Sequence, residues 1–210
     1  MKKLFLFIGV IFALNVTAQS QYEKGMTKAF ELWGQGKITE ASNIFERISN
    51  AEKDNWVPAY YAGYINAITA FGIKDEATLK VRMEKVKSFL DRADGISPKN
   101  PEIMIMQALH NTAYIAFDGQ KYGMTLSGEN AQIFAKAIQI APNNPRVILQ
   151  KAEWDMGAAK FFGKSTEPYC KDIERTIPLF QNEKKSALKF APSWGKERAV
   201  QVLKESCGKK

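Results

Sequence analysis

From residue 21 onward the apolar residues recur every three to four positions instead of alternating, and no run of β-branched alternation is long enough for a strand. The pattern predicts an all-α protein. Breakers interrupt it at Gly34 and Gly36, Pro58, Gly72, Pro98 with Pro101, Gly119 with Gly123, Pro142 with Pro145, Gly163 with Pro168, and Pro192. Between these breakers the spacing predicts helices over 21–34, 38–52, 57–71, 76–95, 101–116, 127–141, 145–161, 171–190 and 194–206. Ser193 is the expected N-cap of the last, with Ala199, Val202 and Leu203 on one face.

Residues 1–18 follow another pattern. Lys2 and Lys3 precede an apolar run from Leu4 to Val16, and Val16-Thr17-Ala18 offers small residues for cleavage, so 1–18 reads as a secretory signal peptide. The expected mature domain is 19–210, beginning at Gln19. The apolar run is shorter than the roughly 20 residues of a membrane span, and no later stretch is long enough either. The first cysteine, Cys170, is far from the cleavage site, which argues against a lipid anchor. A soluble periplasmic or secreted protein follows.

A short unit of alanine, four residues and proline recurs along the chain. It stands at Ala93 to Pro98, Ala137 to Pro142 and Ala187 to Pro192, and the first two continue into nearly the same turn, Pro98-Lys-Asn-Pro101 and Pro142-Asn-Asn-Pro145. Proline disfavours helix in the residue before it and suits the first helical turn, so each turn should stop one helix and start the next.

These positions carry a family resemblance. Ala29, Leu32, Gly36, Ile38, Ala41, Phe45 and Ile48 follow the helix-turn-helix pattern of the tetratricopeptide repeat (TPR), and Val86, Leu90, Ala93, Pro98 and Phe134, Ala137, Pro142 match its second half. The chain resembles short exported bacterial proteins of that repeat type. Pro98 and Pro142 lie 44 residues apart and Pro142 and Pro192 lie 50 apart, against about 34 for the family, so the connections must be extended. The resemblance implies a right-handed solenoid of about four helical hairpins closed by a C-terminal capping helix. It also implies a groove faced by the first helix of each pair, which by register would offer Met26, Phe30, Tyr60, Tyr61, Tyr64, Met106, Gln150 and Glu153.

Composition narrows the chemistry. With 210 residues, 45% hydrophobic and 25% charged, the chain falls outside disordered and low-complexity classes and can bury its own core. The formal net charge of +8 stays basic after the signal peptide is lost. An exported protein does not meet nucleic acid routinely, and its dispersed lysines suit a solvated surface with weak attraction to anionic envelope components. One histidine and two cysteines leave little for a conventional zinc site. His110 with Met104 and Met106 could in principle hold copper, but methionines two apart point to different sides of a helix. Ala158 to Ser165 matches a loosened P-loop, yet it reads as a helix end and not as a strand-to-helix turn. No cofactor is expected.

Export puts Cys170 and Cys207 in an oxidising compartment with no competing thiol, which favours a disulfide between them over two free thiols. The functional expectation is a non-enzymatic interaction module that binds a protein or peptide in the groove. The alternative is a binder of an envelope glycan, lipid or small ligand. An enzyme would need a constellation that the spacing does not reveal.

Overall fold

The computed structural model describes residues 21–208, so the expected signal peptide and its cleavage site lie outside the described residues. The chain is all-helical, with no strand among the described residues. The helices are α1 (21–34), α2 (Ile38–Ala51), α3 (Trp56–Ile68), α4 (Glu76–Ile96), α5 (Pro101–Phe117), α6 (Gly119–Ile140), α7 (Pro145–Phe161), α8 (Cys170–Gln181) and α9 (Lys196–Ser206). No helix among them is long and apolar enough to cross a membrane.

The two matching turns work through asparagine. Asn100 accepts a hydrogen bond from the Glu102 amide at 3.0 Å, and Asn144 accepts from the Arg146 and Val147 amides at 2.9 and 3.3 Å. Each side chain satisfies donors that a helix start would otherwise leave unpaired, and the following proline fits the first turn. From α2 onward successive helices pack on one another, and α5 also touches both α3 and α7 directly. Ala93 and Ala137 are fully buried at these contacts. Phe45, Ile65, Leu79 and Ile103 are buried to the same degree, each contributing about 1.5–3 kcal/mol of transfer free energy. A second cluster of Leu149, Ala152, Met156, Ile173, Ala199 and Val202 joins α7, α8 and α9.

Three boundaries differ from the sequence expectation. Helix α6 starts at Gly119, well before 127, because the Asp118 carboxylate caps the amides of Gln120 and Lys121 at 3.1 and 3.0 Å. Helix α8 ends at Gln181, and 182–195 forms an irregular segment where a helix to 190 was expected. The third alanine-to-proline unit is therefore not a helix end. Its Phe190 has a φ of 60° and packs against α1. Finally, Gly195 and not Ser193 precedes α9. Its φ of 117° is a left-handed conformation open to glycine, and a Cβ there would lie 2.6 Å from the Phe180 ring. Cys170 and Cys207 form the expected disulfide, tying the end of α9 to the start of α8.

Candidate functional site

Helix α1 buries Met26, Ala29 and Leu32 and leaves Phe30 and Trp33 half-buried on its flank. Helix α3 faces them with Tyr61 and Tyr64. Phe30 meets Tyr61 edge-to-face at 4.7 Å and Trp33 meets Tyr64 at 5.5 Å, while Tyr61 stacks on Phe45 at 5.5 Å. Offset and edge-to-face pairs of this kind add about 0.5–1.5 kcal/mol each beyond area burial. The aromatic wall is thus held from behind by the core.

The segment 182–195 supplies the opposite wall. Phe190 lies nearly parallel to Phe30 at 6.0 Å, and Trp194 lies over Tyr64 at 5.1 Å and donates its indole N–H to the Tyr60 hydroxyl at 2.9 Å. Arg146 holds both ends of the segment. Its guanidinium pairs with the Glu183 carboxylate, donates to the Trp194 carbonyl at 3.4 Å, and is itself fixed by Glu102 at 2.9 and 3.0 Å. Between the walls lies a cleft of about 610 Å³ lined by Phe30, Trp33, Tyr61, Tyr64, Phe190 and Trp194, with Gly34, Ala191 and Ser193 at its edges.

The cleft is aromatic and electrically quiet. Burial pushes the Tyr64 phenol up to about 12, and burial also raises Tyr61 and Tyr60, so all three stay neutral at physiological pH. Among the described residues no histidine, cysteine or methionine lines the cleft. Such a surface can stack a flat apolar molecule and offers phenolic hydroxyls for orientation.

The sequence-selected residues separate in space. Phe30, Tyr61 and Tyr64 share the cleft. Tyr60, Met26 and Met106 are fully buried, so they are core residues and not surface contacts, a correction that follows from the apolar faces packed around them. Glu153 pairs with Arg198 of α9 at 2.6 Å, and Gln150 is half-buried on α7; neither lines the cleft. Trp33, Phe190 and Trp194 were not selected. The signal that could have marked the last two is an aromatic pair flanking Pro192, since the proline argues against a helix running through both rings.

The other motifs have structural uses. The Gly163 amide donates to Lys160 and the Lys164 amide to Ala159, at 3.1 and 2.8 Å, with Gly163 at a φ of 65°. That closes α7, so the P-loop-like amides are spent on the helix end. Met104 and Met106 are buried, and His110 sits against Tyr114 with its Nδ1 3.1 Å from the Asn111 side-chain oxygen. No group of three or more histidine, cysteine or acidic side chains that could hold a metal exists among the described residues. A second, more polar hollow of about 520 Å³ lies between α2, α3 and α4. Its Ser42, Asn66, Arg82 and Lys85 are already engaged with neighbouring groups of the chain.

No family model and no curated protein matches the chain. Among solved structures it is similar to the HusA haemophore from Porphyromonas gingivalis. The TM-score is 0.76 at 23% sequence identity, over 90% of this chain and 95% of that one. The likeness establishes a shared helical fold across almost the whole of both chains.

Proposed function

We propose that this chain is an exported, non-enzymatic binding protein that carries a flat, mainly apolar ligand of the porphyrin class in the aromatic cleft. One observation carries the reading: six aromatic rings converge on a cleft of about 610 Å³, a volume suited to a molecule of that size. The fold shared with a haemophore supports it, and so does a disulfide that fits an oxidising compartment. This favours the small-ligand alternative over the peptide reading. The helical pairs are read as a TPR-like solenoid whose first helices share one face, supported by the direct contacts of α5 with α3 and α7.

Because no imidazole, thiolate or thioether among the described residues lines the cleft, and burial keeps the Tyr61 and Tyr64 phenols in the neutral form, which ligates iron poorly, a metalloporphyrin would be gripped by its ring faces, and the metal-free macrocycle should bind comparably. The test is titration of metal-free protoporphyrin and of haem into the mature protein, followed by tryptophan emission, since Trp33 and Trp194 flank the cleft. Saturable quenching is expected, with Trp33→Ala weakening binding at least tenfold and leaving the helical circular dichroism unchanged. Unaltered affinity in that variant, or no quenching by either compound, overturns the proposal.

A second reading, recognition of an extended peptide on the same face, is favoured by one fact: a segment of this chain already lies there through Phe190 and Trp194. Saturable binding of an unrelated aromatic peptide with no porphyrin binding would support it.

A further inference from the structure

The segment 182–195 is attached unevenly. Its two ends are held at one point, because Arg146 pairs with Glu183 and also donates to the Trp194 carbonyl. Behind that point α8 and α9 pack together and are joined by the disulfide. The stretch between the ends has no helix. It lies on α1 through a small set of contacts at its tip: Phe190 against Phe30 at 6.0 Å and Tyr22 at 5.6 Å, Lys189 paired with Glu23 at 2.5 Å, and the Lys189 carbonyl accepting from the Tyr22 hydroxyl at 3.3 Å. Residues 183–189 are exposed. Phe190 itself holds a left-handed φ of 60°, unfavourable for a residue with a side chain.

A firm base, a light tip and a strained residue at that tip are the parts of a flap. We infer that residues 184–191 form a hinged flap over the aromatic cleft, with Arg146 clamping its base, where Pro192 is buried, and Phe190 as its latch, and that lifting of the tip admits and releases the ligand. The inference rests on the cleft being the binding site. It adds that the equilibrium is set by the cleft and the rates by the latch, since a wall that moves contributes to both directions of exchange. Lifting leaves the Trp194–Tyr60 hydrogen bond in place, because Trp194 stands at the base.

The experiment uses the full mature chain with Glu23→Cys and Lys189→Cys, leaving the native disulfide intact. One sample is bridged by a short bismaleimide; the other has both thiols capped singly. Porphyrin association and dissociation are followed by stopped-flow tryptophan emission. Bridging should slow both rates at least tenfold relative to capping, with affinity changed far less. Equal rates overturn the flap. Should neither sample bind porphyrin, the binding reading fails, and the flap is then judged alone by hydrogen exchange of the ligand-free protein. Phe190→Ala should speed exchange of the Ala191 amide, which donates to the Leu188 carbonyl at 3.2 Å, at least tenfold while α8 and α9 keep their protection; unchanged exchange there overturns the flap as well.

Discussion

Arg146 is the residue on which the most depends. Its side chain is 4% exposed and that of Glu102 11%, so two opposite charges have been taken out of water and are sustained by each other, by Asn144, which donates to Glu102 at 2.6 Å, and by the bonds of Arg146 to Glu183 and the Trp194 carbonyl. Breaking such a pair from one side leaves a buried charge without its counterpart. Arg146→Ala should therefore destabilise the fold by about 3–5 kcal/mol in urea denaturation, and Arg146→Met combined with Glu102→Met should recover most of that loss. This dependence was not legible in the sequence, where Arg146 and Glu102 are two charges among many and 44 positions apart. The aromatic side chains divide in the same way. Tyr60, Tyr61 and Tyr64 are equivalent as letters, and only the packing of α3 between α1 and α5 buries the first while leaving the last on the cleft.

At the scale of elements the sequence was most informative where local chemistry repeats. Both Pro-x-Asn-Pro turns restart a helix at the proline, because the capping asparagine and the preset proline φ act within a few residues. It misled where a distant contact decides. The third alanine-to-proline unit has the same spacing, but Phe190 finds α1 far away in the chain, and that aromatic contact stands where a continued helix was expected. Half of the candidate cleft depends on that one departure. The restart into α9 turns on Gly195, whose backbone is left-handed and whose Cα faces Phe180. Gly195→Ala should cost about 2 kcal/mol or more, combining backbone strain with displacement of the Phe180 ring, read as a lower urea midpoint with an unchanged slope.

Across the whole molecule, the first core cluster extends from α1 to the start of α7, and the smaller second one carries α8 and α9. The disulfide lies in the second, at a separation of 37 residues, and on the chain-entropy estimate closing that loop is worth about 4 kcal/mol. Cys207→Ser should lower the melting temperature by about 10 °C, with the loss falling on α8 and α9 in hydrogen exchange before it reaches α1 to α6. The same bond has a different consequence for the chain as a covalent object. Lys184, Lys185 and Lys189 stand exposed, on a stretch without helix, inside the ring that Cys170 and Cys207 close, where a trypsin-like protease can reach the backbone. A cut there opens the ring without dividing the molecule: α9, with Arg198 still paired to Glu153, stays linked through sulfur to the start of α8, and the nicked protein would persist as a single particle until a reductant parts it.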